Sequence, residues 1–164
     1  MIAIRHNTFE TNSSSSHSLC INDTTHQRCT IEVVEDYRND VWGKWLVVDL
    51  CEFNGTYDYW QQEERLAFLL QVVAFYNDIS FFSEYEEGTN KLYETEEFKY
   101  IEDEIKQYVD CDGILIRPRY AYIADFDDNN YSHDFYEYLS TECCCSVADF
   151  VFGRDVSVYI SYNG

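Results

Sequence analysis

The sequence has little proline, little glycine and little basic charge. One Pro and six Gly among 164 residues leave few breakers, so we expect continuous elements joined by short connections. Eleven Lys and Arg stand against 31 Asp and Glu, which gives a formal charge of −20. Nucleic acid is a polyanion that binds basic surfaces, and this chain lacks the basic excess that such a surface needs. The composition therefore argues against a domain that attracts DNA or RNA by its own field.

Signals of secretion, of membrane insertion and of zinc binding are missing as well. The opening "MIAIRH" meets polar residues too early for a signal peptide, and no apolar run approaches the length of a membrane span. The seven Cys are an odd number, and none of their spacings forms a C-x-x-C pair. We therefore expect a cytoplasmic protein with reduced thiols and with no bound metal or cofactor.

Aromatic and acidic residues are abundant. Aromatics make up 18% of the chain and hydrophobic residues 46%, so we expect it to fold, as one domain over residues 1–164 with a sizeable core. An acidic field attracts basic partners at rates that depend on salt. Some basic partners bind nucleic acid, and an acidic surface can compete with their DNA or RNA. The alternative is that the charge only keeps the protein in solution.

Hydrophobic periodicity predicts two principal helices. Residues 60–78 carry apolar side chains at helical spacing, and a second amphipathic run spans about 95–109 behind the candidate cap Thr95. The apolar stripe of the first helix contains Leu66, Leu69, Leu70 and Val73, and that of the second contains Phe98, Ile101, Ile105 and Tyr108. A short third helix is predicted at about 133–141.

Strand candidates alternate with these helices. They are rich in β-branched and aromatic residues, and "NG" at 54–55 is a turn signal. The predicted fold class is α+β, with a mostly antiparallel sheet on which the two helices pack. The predicted strands are "MIAIR", residues 18–22, 30–37 and 44–53, two runs within 113–126 that Pro118 divides, and residues 156–162.

The serine run in "RHNTFETNSSSSHSL" (5–19) is the first candidate site. Most serine runs are solvated loops, but here a titratable residue stands on either side. If the run begins a helix capped by Asn12, its free N–H groups and hydroxyls form an anion site. If it is extended, alternate residues from Thr11 to His17 line one side. In both cases a hydroxyl can sit beside the imidazole of His17, the pairing that activates a weak nucleophile.

These alternatives assign the same residues to two roles. Arg5 can hold a phosphate by a two-pronged contact, and Glu10 can orient His17 or take a proton itself. The candidate catalytic residues are Arg5, Glu10, Ser13, Ser14 and His17, and the candidate phosphate-binding residues are Thr11, Asn12, Ser15 and Ser16.

The same stretch resembles an N-terminal signature, approximately R-x-x-x-F-E-T-N-S-S-S-S-H-S, of small proteins from phages and related mobile elements. Arg5 and every residue from Phe9 to Ser18 fit it. A small, strongly acidic chain with this start is similar to the anti-CRISPR proteins directed against type II-A Cas9. Some of these block binding of DNA or of its PAM, and at least one is implicated in truncating the guide RNA.

The resemblance implies an inhibitor of a host CRISPR effector, acting in the bacterial cytoplasm. Its partner would be the Cas9–guide RNA complex, and it would meet nucleic acid only through that partner. Guide RNA cleavage at the N-terminal site is a possible addition to steric inhibition. Two alternatives stay open: a stand-alone enzyme of phosphoryl or nucleotidyl transfer, although no Walker loop is present, and a phage structural protein.

Four further features have a plain interpretation beside a functional one. "FDDNNYSHD" (126–134) could ligate Mg²⁺ or Ca²⁺ but does not match an EF-hand, so an acidic turn is favoured. The triple Cys at 143–145 is better explained by buried thiols than by zinc. The segment 83–97, with six Glu and one Lys, is a solvated loop and helix start or a phosphate-mimicking surface. Trp42, Trp45 and Trp60 could stack bases, but they more often pack.

Overall fold

A computed structural model describes residues 15–21, 26–50, 57–59, 61–79, 85–117, 146–154 and 156–162. These residues form six strands and four helices. In chain order the strands are β1 (Ser15–Ile21), β2 (Val33–Arg38), β3 (Val41–Asp49), β4 (Tyr57–Tyr59), β5 (Gly113–Arg117) and β6 (Val156–Tyr162), and the helices are α1 (Gln62–Tyr76), α2 (Tyr85–Glu94), α3 (Glu96–Lys106) and α4 (Val147–Phe152).

The strands form two small sheets of three strands each. One has the order β1-β6-β4 with both pairings antiparallel, and its register sets Ser15 opposite Tyr162. The other has the order β2-β3-β5, in which β2 and β3 form an antiparallel hairpin and β5 runs parallel to β3. Three of the four pairings are antiparallel, and α1 and α3 contact the second sheet, so the predicted α+β class is confirmed.

The centre of the core lies on the second sheet. Strand β3 has neighbours on both sides, and its residues Trp45 to Val48 are all buried, as the apolar run "WLVV" requires of a central strand. Apolar side chains of β3 and β5 meet those of α1, α3 and α4 in one cluster, which includes Leu46, Ile114, Phe98 and Phe150.

Helix α1 is buried on more than the predicted stripe. Ala67, Phe68 and Val72 are as inaccessible as Leu66, because the helix has neighbours on several sides, among them β3, α3 and α4. The Glu64 carboxylate accepts a hydrogen bond from the Gln61 backbone N–H at 3.2 Å, which closes the first turn.

Helix α3 confirms the predicted cap. The Thr95 hydroxyl accepts the Phe98 backbone N–H at 3.2 Å, and Phe98 and Ile105 are buried as predicted. The helix ends at Lys106, however, and Tyr108 is 49% exposed. Its predicted place on the buried face is therefore wrong, because the chain leaves the helix before reaching it.

The prediction for the segment 83–97 is also corrected. Residues 85–94 form the separate helix α2, where a solvated loop leading into one helix was predicted. Leu92 is fully buried and Tyr93 packs against the core, so two side chains give this acidic segment an apolar side. Helix α4 was not predicted, since six residues are too few to show a periodicity; the Ser146 hydroxyl caps it by accepting the Asp149 N–H at 3.1 Å.

The strand predicted at 18–22 begins earlier than expected. Ser15, Ser16 and His17 already belong to β1, so the second half of the serine run is strand and not a connection. The strand at 156–162 is present with the predicted ends, and so is the first run of 113–126, which ends at Arg117 before Pro118. The strands predicted at 30–37 and 44–53 are present with shifted ends. The strand "MIAIR", the turn at 54–55, the run after Pro118 and the helix at 133–141 lie outside the described residues.

Candidate interaction surface

The predicted N-terminal site is described only at its end. Arg5, Glu10, Thr11, Asn12, Ser13 and Ser14 lie outside the described residues. Ser15, Ser16 and His17 are in β1, with Ser15 opposite Tyr162 and His17 opposite Ile160. The helical alternative is therefore wrong for these three residues. These three residues are extended, as in the other alternative.

The remaining candidates separate into buried, exposed and undescribed residues. Trp45 is 4% exposed and its indole N–H donates to the Asp36 carbonyl at 2.9 Å, so it is a core residue. Trp42 is 57% exposed. Trp60, residues 126–134 and the triple Cys lie outside the described residues. Within the described ranges, no group of three His, Cys, Asp or Glu is placed to hold a metal ion, and no helix is long and apolar enough to cross a membrane.

A largely buried ion pair anchors the β2–β3 hairpin. The guanidinium of Arg38, at the end of β2, donates to the Glu102 carboxylate of α3 and, at 2.8 Å, to the Ile114 carbonyl of β5. It also lies over two aromatic rings, 4.5 Å from the centroid of Trp45 and 4.9 Å from that of Tyr93. This arrangement combines a carboxylate with two ring faces, which are the groups that hold a guanidinium best.

The same contacts close the outer edge of β5. Glu102 accepts the Ile114 N–H at 2.8 Å, and the Tyr93 hydroxyl accepts the Ile116 N–H at 2.9 Å. Burial raises the pKa of Tyr93, although this hydrogen bond and the charge of Arg38 oppose the shift. A Cβ at Gly113 would overlap the Glu102 carboxylate, so glycine is required by this close approach. The hairpin, α3 and β5 are thus joined at one point.

The hairpin ends in a tight turn that exposes two aromatic rings. Asn39 and Asp40 both have positive φ, 50° and 64°, as in the type I′ turn that matches the twist of a two-residue hairpin. Tyr37 and Trp42 stand opposite each other across the strands, with ring centroids 4.9 Å apart and planes at 68°. Their exposed fractions are 60% and 57%, so both rings face solvent on an ordered support.

Exposed carboxylates share the hairpin with this pair of rings. Glu35, Asp36 and Asp40 are exposed on the hairpin. The turn 110–112 comes up beside it, since the Lys44 ammonium pairs with Asp110 and the Lys44 N–H donates to Asp112 Oδ2 at 2.8 Å. We call the set Glu35, Asp36, Tyr37, Asp40, Trp42, Asp110 and Asp112 the hairpin surface.

The negative charge of the hairpin surface is not balanced by Lys44, the lysine that pairs with Asp110. The hydrogen bond to Asp110 raises the pKa of Lys44 most, followed by the charge of Asp110, and the charges of Glu35 and Asp112 add to the effect. Three carboxylates therefore act on a single ammonium group. The local field stays negative after the ion pair has formed.

Each of the four lysines of the chain forms an ion pair with a carboxylate. Lys44 pairs with Asp110, Lys91 with Glu87, Lys99 with Glu96 and Lys106 with Asp103. Arg38 is held by Glu102, and Arg65 is 2% exposed and donates to the carbonyl of Gly153 at 3.0 Å. Among the described residues, Glu35, Asp36, Asp40, Glu94, Glu97 and Asp112 form no ion pair.

An open groove of about 420 Å³ adjoins the hairpin surface at Asp110. Its lining includes the exposed apolar side chains of Val33 and Tyr108, and Arg28. Next to it, the His26 ring meets Tyr108 edge-on at 4.8 Å and bonds the Asp149 carboxylate at 2.7 Å. Burial raises the pKa of the Cys29 thiol in the groove, so this cysteine is a poor nucleophile.

Sequence reasoning singled out Trp42 on this surface but not its neighbours. The segment "VEDYRNDVW" carried the signal, because an Asn-Asp pair between two strand-like runs is typical of a type I′ hairpin. Asp110 and Asp112 carried no such signal, since only the return of the chain after α3 brings them to the hairpin.

The chain matches no protein-family model, no curated protein and no solved structure.

Proposed function

We propose that this chain inhibits a host CRISPR effector, Cas9, in the bacterial cytoplasm by binding the positively charged channel that holds nucleic acid. One observation carries the proposal: every lysine is paired with a carboxylate, while Glu35, Asp36, Asp40 and Asp112 at the hairpin form no ion pair among the described residues. Ion pairs within the fold leave the formal charge of −20 unchanged, since each pair removes one charge of either sign. The likeness of residues 5–18 to the phage signature supports the choice of effector.

The physical mechanism is competition between two anions for one basic channel. Carboxylates on a rigid hairpin can stand where backbone phosphates would stand, and the field accelerates the encounter. The protein itself would not bind free DNA or RNA, because like charges repel. Inhibition therefore requires the basic partner.

The proposal is tested by measuring association with a purified Cas9–guide RNA complex in NaCl from about 50 to 500 mM. We expect tight binding at the low end and a steep loss of affinity as salt rises. Target DNA added first should slow association, because it occupies the same channel. An absence of binding at the lowest salt would reject the proposal.

Guide RNA cleavage is the second candidate. It is favoured by the extended backbone of Ser15 to His17 in β1, which suits the extended form of the predicted site. Arg5, Glu10, Ser13 and Ser14 would complete that site. DNA cleavage and guide length should be read together, for the wild type and for His17→Ala. A shortened guide that depends on His17 supports chemistry, whereas an intact guide with lost DNA cleavage means steric inhibition only.

A further inference from the structure

The exposed ring pair on the hairpin needs a partner of its own. Tyr37 and Trp42 are each more than half exposed, although large aromatic side chains gain most from burial. Their backbone does not depend on a partner, because the turn and the Arg38 anchor hold it in place. Aromatic rings on a rigid support are the usual centre of a binding surface.

The carboxylates decide which partner fits. Glu35 shares the face of the rings by its register in β2, and exposed Asp40 is in the turn between the two rings, so an anionic ligand would be repelled. A purely apolar segment would bury these carboxylates without a counter-charge, which is unfavourable. A second copy of the chain carries the same charge of −20 and would be repelled as well. A cation that also has a flat face satisfies the rings and the carboxylates together.

The fold already contains such a site for one of its own residues. Arg38 lies over the rings of Trp45 and Tyr93 and pairs with Glu102. The hairpin surface offers the same groups, a Trp, a Tyr and neighbouring carboxylates, but without a guanidinium among them. The planar guanidinium stacks on rings and binds carboxylates with two parallel bonds, which the ammonium of lysine cannot do.

We infer that the hairpin surface is a docking site for an arginine side chain on a basic segment of the partner protein. The arginine stacks on Trp42 or Tyr37 and pairs with the carboxylates of the hairpin. This inference rests on the proposed function for the identity of the partner, but it concerns a contact that any arginine-rich protein surface could make.

The test compares hairpin variants with a matched control. Trp42→Ala and Tyr37→Ala each remove a ring from the hairpin surface. The control, Tyr100→Ala, removes a Tyr on α3 that is 38% exposed and is distant from the hairpin in sequence. Tyr100 also has a carboxylate nearby: burial raises the pKa of Tyr100 most, and the charge of Glu104 raises it further. Thermal unfolding followed by circular dichroism checks that every variant is folded.

Two titrations are made with each folded protein. The first uses the Cas9–guide complex, where we expect Trp42→Ala to weaken binding about tenfold, the size of a cation–π contact that is shielded from water. The second uses an oligoarginine and an oligolysine peptide of equal length, where the wild type should prefer oligoarginine and Trp42→Ala should lose that preference. Tyr100→Ala should behave as the wild type in both.

The outcomes separate the two proposals. If the wild type binds the Cas9–guide complex and both hairpin variants bind equally well, the docking site is wrong and the inhibitor proposal stands. If the wild type ignores the complex but prefers oligoarginine through Trp42, the docking site stands and the effector is wrong. Should Trp42→Ala fail to fold, Tyr37→Arg, which puts a like charge into the site, must abolish the preference for oligoarginine; an unchanged preference would overturn the inference.

Discussion

Glu102 is the single side chain on which most contacts between the hairpin, α3 and β5 depend. It is 8% exposed, pairs with Arg38 and accepts the Ile114 N–H. Glu102→Ala removes the only carboxylate among the described residues that pairs with Arg38 and leaves the Ile114 N–H without its acceptor, so we expect a loss of about 3–5 kcal/mol in the free energy of unfolding. Glu102→Gln keeps an acceptor for Ile114 and should lose less. Urea unfolding measures both.

The control for this prediction is an ion pair at the surface. Lys99→Gln removes the partner of Glu96, whose side chain is 81% exposed, and we expect no measurable change in the urea midpoint. Equal effects of Glu102→Ala and Lys99→Gln would show that the buried pair does not hold the hairpin.

The single side chain of Asp149 makes the stability of the fold depend on pH. Burial alone would raise the pKa of its carboxyl, but the hydrogen bonds from His26 and Ser146 outweigh burial and lower it. A lowered pKa in the folded state means that the carboxylate contributes stability above its unfolded pKa of about 3.9 and loses this contribution as the pH falls through the folded value.

The difference between Asp149→Asn and the wild type isolates this contribution. At pH 7 we expect the variant to be less stable by about 1 kcal/mol, since a charged acceptor at the helix N-terminus and its hydrogen bonds from His26 and Ser146 are lost. Toward pH 3 the two melting temperatures should converge. A gap that stays constant over this range would show that the carboxylate's charge is irrelevant, and that only its shape matters.

At the scale of elements, the β2–β3 turn holds a residue in a conformation that costs it energy. Asp40 has φ 64° at the second central position of the turn, where Gly is preferred because it has no Cβ. We expect Asp40→Gly to gain up to about 1 kcal/mol and Asp40→Ala to lose a similar amount. Thermal melts of the two variants compare them, and a lower melting temperature for Asp40→Gly than for the wild type would contradict the type I′ geometry.

At the scale of the whole molecule, the charge of −20 should oppose the folded state, since folding brings like charges together. We expect NaCl raised from about 0.01 to 0.5 M to increase the melting temperature, because screening shortens the range of repulsion. The exposed lysine pairs also weaken in salt, but each contributes little. Chloride is preferred to sulfate, which would strengthen apolar burial by itself. A melting temperature that falls with NaCl would mean that the ion pairs outweigh the repulsion.

Prediction from the sequence succeeded where the signal is local. The stripe around Leu66, the Thr95 cap and the strand "VSVYISY" each depend on residues within a few positions, and the structure confirms all three. It failed at Tyr108, which the periodicity placed on a buried face that the helix does not reach, and at α2, whose acidic composition hid two core side chains. The end of the serine run was expected to connect two strands, but pairing with β6 makes it part of one.

By itself, the sequence determined the class of fold and the excess of acidic over basic residues, because composition and short-range periodicity are enough for these. Only the tertiary structure decided that Trp45 is buried while Trp42 is exposed, and that Asp110 and Asp112 join the hairpin. The physical reason is distance along the chain: Arg38 and Glu102 are 64 positions apart, and no local pattern states which carboxylate will meet which cation once the elements pack.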